Sequence, residues 1–195
     1  PSRADFKTYN PNVSATPPQF ARQMDYVKRY YSVVTCDQII SWLGGPSKLP
    51  SNPLLITFDD GYLDNRTNAY PILQERDLTG IIFLAINYIG SKAPFYWDYL
   101  SYLFVHTTKP RLELPLIGSV TTSEPIERES AMAALIERLK KLSDEDKLKY
   151  LIEISKIMEV PVPEDVFADL CLDWCQLRRM SDRIEYGSHT SSHPI

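Results

Sequence analysis

Short apolar runs with β-branched and aromatic members recur along the chain between stretches of helical periodicity. Residues 54–58, Leu-Leu-Ile-Thr-Phe, form the clearest run, and they predict a strand buried on both faces of a parallel sheet. Residues 80–86 and residues 184–186 predict two further strands. The alternation of these strands with helices predicts an α/β fold.

Helical spacing begins before the first of these strands. Phe20, Met24 and Val27 recur at the spacing of one helix face, and they predict a helix over residues 18–30. An extended lead-in without helix or strand periodicity is expected at residues 1–18, where Pro11, Pro17 and Pro18 stand among small polar residues.

A brief strand at residues 33–34 and a second helix come next. Thr35 and Gln38 have the spacing of a capping box. The apolar positions after them predict the buried face of that helix: Ile39, Ile40 and Leu43. A third helix is expected at residues 67–75, with Pro71 in its first turn or at a kink.

The segment between the strands at 80–86 and 184–186 is mostly helical in pattern. Its first helix has a predicted buried face made of Tyr96, Trp97, Leu100 and Phe104. Stacking of the aromatic patch at residues 94–99 on sugar rings is an open alternative to this burial. His106 follows the patch, and we interpret it as a packed or solvated histidine.

A hairpin and three more helices complete this segment. Alternating apolar residues at 110–122 predict the hairpin, and a helix is expected over residues 125–142. A capped helix from Ser143 has a predicted inward face of Leu148, Leu151, Ile152 and Ile154. A last helix from Asp173 places Leu177 and Met180 inward. Residues 95–180 are therefore predicted to be, approximately, a helical insertion.

Composition limits the classes of protein to which the chain can belong. With 195 residues, of which 44% are hydrophobic, it can bury one sizeable core. The net charge of −4 provides no basic field for a nucleic-acid backbone, and no apolar run approaches the length of a membrane span. We expect neither nucleic-acid binding nor a transmembrane segment. The three cysteines, Cys36, Cys171 and Cys175, are too few for a disulfide framework. We assign them no function and favour burial for Cys171 and Cys175.

Two adjacent carboxylates follow the strand at 54–58. Asp59 and Asp60 precede Gly61, at the kind of strand end where α/β proteins carry ligands and catalytic groups. The same residues are also an ordinary turn signal, and Asp60 could cap the helix that follows.

Two of the three histidines in the chain lie near its end. His189 and His193 are four residues apart, a spacing that places both imidazoles on one side of a turn and suits two nitrogen ligands of a metal. A carboxylate is a suitable third ligand, and the acidic pair at the strand end offers one. Considered together, the two motifs favour a metal site over an ordinary loop.

These motifs resemble those of the polysaccharide deacetylases of carbohydrate esterase family 4, the NodB-homology domain. Residues 57–61, Thr-Phe-Asp-Asp-Gly, are similar to the first motif of that family, and residues 189–193, His-Thr-Ser-Ser-His, to the second. The resemblance implies that Asp59 is the general base and that Asp60, His189 and His193 bind a divalent metal, most often zinc, with cobalt, nickel or iron also suited to these ligands. It implies a distorted (β/α) barrel.

The resemblance also implies a function. We expect a metal-dependent hydrolase that removes acetyl groups from N-acetylated or O-acetylated polysaccharide, acting on carbon-nitrogen bonds other than peptide bonds. The open alternatives are a non-catalytic carbohydrate-binding relative and an inactive fragment of such a domain. Later motifs of the family would lie beyond Ile195, so we expect one domain over residues 1–195 that is incomplete on its C-terminal side. The substrate class favours an extracytoplasmic or cell-envelope location.

Overall fold

The computed structural model describes residues 15–193. The predicted lead-in at residues 1–18 lies outside the described residues except for its last four, and a helix already begins at Pro17. The described chain divides into two compact units. The sheet unit comprises residues 15–92 and 168–193, and the helical unit comprises residues 93–167.

The sheet unit alternates helices with short parallel strands. Its elements are α1 (Pro17–Tyr30), β1 (Ser32–Val33), α2 (Cys36–Gly44), β2 (Pro53–Leu54), β3 (Thr57–Asp60), a π-helical turn (Asn65–Ala69), α3 (Tyr70–Glu75), β4 (Gly80–Leu84), a 3-10 turn (Ile86–Tyr88) and, after the helical unit, α7 (Trp174–Arg179) and β7 (Ile184–Ser188). The α/β prediction is confirmed. The predicted strand at 80–86 is two residues shorter, because the chain turns at Ile86.

Three parallel strands form the sheet that positions the site, in the order β3-β4-β7. The register aligns Asp60 with Leu84, and Leu84 with Ser188. The carboxyl ends of β3 and β7 therefore reach the same edge of the sheet, on either side of β4. Strands β1 and β2 form a separate parallel pair. Among residues 15–193, none of the sheets closes on itself.

The core of the sheet unit is built by helices α1, α3 and α7 packing against β4 and β7. Its buried members are Met24, Ile56, Leu73, Leu78, Ile82, Leu84, Ile89, Leu172, Leu177, Met180 and Ile184. The inward positions predicted for the helix after Asp173 are confirmed, since Leu177 and Met180 are both buried.

Two burial predictions for the elements before β4 are wrong. The run at 54–58 is divided between β2 and β3. Thr57 and Asp59 are exposed, because only the face of β3 that carries Phe58 and Asp60 is packed. In α2 the capping box of Thr35 is present, but Ile40 is 60% exposed and Leu43 is 71% exposed. Helix α2 is attached to β7 through its N-terminus and not through its apolar side. The Glu185 carboxylate on β7 accepts the backbone N–H of Cys36 at 2.7 Å.

Pro71 lies where the π-helical turn gives way to α3, in the first turn of that helix. Proline cannot donate a hydrogen bond to the preceding turn. The widened turn before it is therefore consistent with the predicted kink.

The helical unit contains α4 (Tyr96–His106), β5 (Arg111–Leu114), β6 (Gly118–Thr121), α5 (Pro125–Leu139) and α6 (Asp144–Met158). The predicted hairpin is confirmed, with β5 and β6 antiparallel. In α4, Leu100 and Phe104 are fully buried and Tyr96 is nearly so, as the helical spacing predicted. In α6, Ile154 is buried, but Leu148 and Ile152 are exposed and that part of the prediction is wrong. The residue before Leu148, Lys147, is buried in its place. No helix within residues 15–193 is long and apolar enough to cross a membrane.

Candidate metal centre

A sharp turn at the end of β3 places the acidic pair. Asp60 and Gly61 both have positive φ, 71° and 84°, and the Gly61 N–H donates to the carbonyl of Asp59 at 2.8 Å. Aspartate tolerates this left-handed backbone better than most residues. A Cβ at Gly61 would lie 2.7 Å from Ile89 and 2.9 Å from Leu84, so glycine is required both by the backbone and by the neighbouring side chains.

The loop that carries the histidines is attached to the chain that continues β4. The His189 N–H donates to the carbonyl of Leu84 at 2.9 Å, and the Asn87 N–H donates to the carbonyl of Ser191 at 3.0 Å. Thr190 and His193 have positive φ, 63° and 54°. The Thr190 hydroxyl accepts the His193 N–H at 3.0 Å. These bonds fold residues 189–193 into a tight loop rather than a helical turn.

The side chains of Asp60, His189 and His193 meet above the end of β4. Adjacent strands lie about 4.8 Å apart, so β3 and β7 are separated by roughly twice that distance, which side chains pointing toward one another can span. Oδ1 of Asp60 is 3.5 Å from Nε2 of His189 and 3.2 Å from Nε2 of His193. The ring centroids of the two histidines are 4.7 Å apart. One ligand atom from each residue lies within 4.8 Å of the others.

The electrostatics of Asp60 fit an atom that faces a cation. Its Oδ1 is buried and has no hydrogen-bond partner among the described residues, although two imidazole nitrogens are close. Burial raises the pKa of Asp60, both histidines act to lower it, and the neighbouring Asp59 raises it. One carboxylate and two imidazoles are a donor set that zinc and related divalent ions accept.

Asp59 has a different environment from Asp60. Successive side chains of a strand point to opposite faces, and along β3 Asp59 is exposed while Asp60 is half-buried. The structure therefore brings together three of the four residues singled out from the sequence and places the fourth on the open face of the same strand end. The roles of all four remain predictions.

Supporting residues of the loop were missed by the sequence reasoning. Thr190 accepts the His193 N–H, the Tyr88 hydroxyl donates to the carbonyl of Ser192 at 3.3 Å, and Gly187 lies opposite Phe83 in the register. The contact between Tyr88 and Ser192 joins positions 104 residues apart, and Phe83 and Gly187 are equally far apart in the chain. No local periodicity in the sequence indicates these long-range partners. Gly187 lies just beyond the predicted strand at 184–186 and belongs to the longer observed strand β7, where a glycine marks a close approach of neighbouring groups.

The remaining histidine and the cysteines lie in other environments. Nδ1 of His106 is 2.8 Å from the carbonyl oxygen of Tyr102, and its ring stacks on the Tyr102 ring, while the residue itself is exposed. The prediction of a packed or solvated histidine is confirmed. Cys171 is buried as predicted. Cys175 is exposed, so the predicted burial of that thiol is wrong.

Three deacetylases are among the solved structures to which this chain is similar. The BpsB deacetylase domain from Bordetella bronchiseptica has a TM-score of 0.42 and 19% identity, with 86% of this chain and 42% of that chain covered. IcaB from Ammonifex degensii has a TM-score of 0.40 and 18% identity, with 93% and 80% covered. Streptococcus pyogenes deacetylase PplD, solved in complex with acetate, has a TM-score of 0.35 and 14% identity, with 75% and 61% covered.

Sequence comparison gives a local match and a family match. YxkH of Bacillus subtilis (strain 168), named for the polysaccharide deacetylases, is 37% identical over 62 residues, which is 32% of this chain and 22% of that protein. This chain thus spans less than half the length of YxkH and of the Bordetella chain. The family model described as polysaccharide deacetylase matches residues 47–195, a range that contains Asp59, Asp60 and both loop histidines. The chain belongs to the polysaccharide deacetylase family.

Proposed function

We propose that this chain carries the metal site and the general base of a metal-dependent hydrolase that removes acetyl groups from N-acetylated or O-acetylated polysaccharide. The observation that supports the proposal most directly is the convergence of Asp60 Oδ1 with Nε2 of His189 and Nε2 of His193. The buried Oδ1 has no hydrogen bond among the described residues, and a carboxylate oxygen in that state is unfavourable unless a cation faces it.

Asp60, His189 and His193 would hold the ion, and zinc is the ion that this mixed nitrogen and oxygen set favours, with cobalt, nickel and iron also suited. When bound, such an ion lowers the pKa of a coordinated water toward neutrality and polarises an acyl carbonyl. The ligands are positioned by hydrogen bonds of the loop backbone, notably the bond from His193 to the Thr190 hydroxyl. Such backbone contacts fix the conformation of the loop from which the two imidazoles project.

Asp59 is the proposed general base. It is adjacent to a ligand but lies on the exposed face of β3, where substrate can approach and where the carboxylate remains available to accept a proton from water. Asp60, in contrast, is half-buried and faces both imidazoles. The division of roles within the pair therefore follows from strand alternation: one carboxylate binds and the other accepts a proton.

The fold and location that accompany this function are part of the same proposal. The parallel order β3-β4-β7, with the site at the carboxyl ends of its strands, supports a distorted (β/α) barrel of the NodB-homology type. An acetylated polysaccharide substrate favours an extracytoplasmic or cell-envelope location.

Metal content tests the ligand assignment. We expect the purified chain to retain about one divalent ion after dialysis, and we expect His193→Ala to lose most of it because one of three ligands is removed. His106→Ala is the matched control, since His106 packs on Tyr102 in the helical unit. Elemental analysis measures both variants. Equal metal content in His193→Ala and in wild type would disprove the assignment.

Paired substitutions test the roles of the two carboxylates in the full-length protein. Asp59→Asn should keep the metal and lower acetate release from an N-acetylated glucosamine oligomer by about two or more orders of magnitude. Asp60→Asn should lower metal content and turnover together, because the substituted amide is a poorer ligand. If Asp59→Asn loses metal while Asp60→Asn retains it, the two roles are reversed.

A further inference from the structure

One face of helix α1 carries an open cavity of about 570 Å³. Two tyrosines, Tyr26 and Tyr31, line it together with a polar group of residues from the same helix: Gln19, Arg22 and Gln23. Val27 and Leu54 supply its half-buried apolar lining. The volume lies within the range of about 300–1,000 Å³ that is usual for small-molecule sites.

The cavity belongs to a helix that is firmly held on its other side. Met24 is part of the core of the sheet unit, and Phe20 packs edge-on to Phe58 with ring centroids 5.9 Å apart. Asp25 forms an ion pair with Arg76 at 2.8 Å. These contacts fix the backbone of α1, from which the exposed lining side chains project, before any ligand arrives. Pre-organisation of this kind reduces the entropy lost on binding.

The lining has the chemistry of a carbohydrate site. Tyr26 and Tyr31 are 58% and 41% exposed, and their ring centroids are 6.3 Å apart, so aromatic surface is available to the C–H face of a sugar. Gln19 and Gln23 are one helical turn apart. The Gln19 amide oxygen already accepts the N–H and the hydroxyl of Thr16, both at 2.9 Å, so Gln19 offers its two amide donors. The Gln23 amide can donate and accept, as the hydroxyl and acetamido groups of a hexosamine require. Arg22 adds further donors.

We propose that this cavity is a non-catalytic subsite that binds a stretch of an N-acetylated hexosamine polysaccharide. This inference rests on the proposed function for the class of polymer, but it uses none of the proposed metal ligands. All lining residues except Leu54 precede the family match, which begins at residue 47. The subsite would hold the polymer while Asp59 and the metal site act on an acetyl group, and it would raise the affinity for long chains over single sugars.

The test is a titration of the full chain with a fully N-acetylated glucosamine hexamer. The protein is freed of metal with a chelator, and binding is followed by amide chemical-shift changes in NMR spectra. We expect the changes to include residues 17–31 and the side-chain amides of Gln19 and Gln23. The use of metal-free protein separates this inference from the proposed function. If the metal assignment fails, sugar binding at α1 still persists. If the cavity does not bind sugar, metal content and acetate release are unaffected.

Substitutions then locate the binding energy. Tyr26→Ala should weaken binding of the hexamer by about five- to tenfold, whereas Tyr26→Phe keeps the ring and should bind within about twofold of wild type. Trp42→Ala is the matched control, because Trp42 is a 47% exposed aromatic residue on α2 and does not line the cavity. Unchanged affinity in Tyr26→Ala, or equal losses in Tyr26→Ala and Trp42→Ala, would overturn the proposal. Displacement of the hexamer by inorganic phosphate would also overturn it, since that result assigns an anion site at Arg22.

Discussion

The substitution Gly187→Ala should destabilise the protein at the strand that leads into the histidine loop. Gly187 on β7 lies opposite Phe83 on β4. A Cβ at position 187 would lie 2.5 Å and 2.6 Å from two carbons of the Phe83 ring, about 1 Å closer than carbon atoms normally approach. The ring must turn or the strands must separate. Overpacking of this kind costs about 1–3 kcal/mol.

Two further effects set the net magnitude. Alanine restricts the unfolded chain more than glycine does, which stabilises the folded state by about 0.4–1 kcal/mol. Phe83 is half-buried, so its ring can move away at an off-rotamer cost of about 0.5–1.5 kcal/mol. We therefore expect a net loss of about 1–2 kcal/mol in the free energy of unfolding. Because His189 follows Gly187 by two residues, metal affinity should fall as well.

Urea denaturation followed by circular dichroism measures the change in the free energy of unfolding. The comparison requires that the slope of this free energy against urea concentration is the same in the variant and in wild type. Gly44→Ala is the matched control, because no atom lies within 4 Å of a Cβ at the end of α2. It should be neutral or stabilising by up to about 1 kcal/mol. Phe83→Leu removes the ring that a Cβ at position 187 would contact. Adding Gly187→Ala to Phe83→Leu should therefore cost less free energy of unfolding than adding Gly187→Ala to wild type. Wild-type stability in Gly187→Ala, with the control behaving as expected, would refute the reasoning.

Three further predictions concern stability. Tyr96→Phe should raise the free energy of unfolding by about 1 kcal/mol, because the buried Tyr96 hydroxyl has no hydrogen-bond partner among residues 15–193 and burial raises its pKa to about 12. Tyr186→Phe should lower it by about 1 kcal/mol, because that hydroxyl donates to the carbonyl of Leu177 at 2.6 Å; thermal melts of the two variants separate these signs. Asp77→Asn should make the free energy of unfolding less dependent on pH in the acid range. The Arg183 guanidinium holds the pKa of Asp77 below its ordinary value, so this stabilisation is present above the unfolded pKa of about 4 and is lost as pH falls through the lower folded pKa. The same dependence of stability on acid pH in Asp77→Asn and in wild type would contradict this.

The convergence of the ligands was predictable because it follows from strand direction. Asp60 ends one strand and His189 follows another, and parallel strands bring their carboxyl ends to one edge of a sheet. The hydrophobic runs identified both strands and the strand β4 between them. Hydrophobic periodicity alone could not show that only one face of β3 is covered, and so the burial of the other face was overestimated. For α2 the error has the same origin: apolar spacing indicates which residues share a face, and the packing partner of that face lies elsewhere in the chain.

The details of the loop could not be predicted for a different reason. Thr190 and His193 adopt positive φ, which an analysis of propensity does not assign to such residues. Their conformation is imposed by hydrogen bonds to the segment after β4, including the bond between Asn87 and Ser191. The sequence indicates the cavity beside α1 only weakly. Polar and aromatic residues recur along one face of that helix, and its other face is apolar. A polar face of this kind is ordinarily solvated, and the spacing of residues in α1 could not show that Tyr31 and Leu54, which lie outside the helix, also line the cavity.

The strand between the two ligand-bearing strands sets the dimensions of the site. Gly61, immediately after Asp60, and Gly187, two residues before His189, would each place a Cβ less than 3 Å from a side chain of β4, namely Leu84 and Phe83. Both glycines therefore allow the flanking segments to approach β4 closely, and this approach keeps the distance from Asp60 to the histidines within reach of one ion. Larger residues at either position would widen the separation while leaving every proposed ligand present. Metal affinity in this protein should consequently be sensitive to residues that bind no metal, and the side chains of β4 are the first places to look for them.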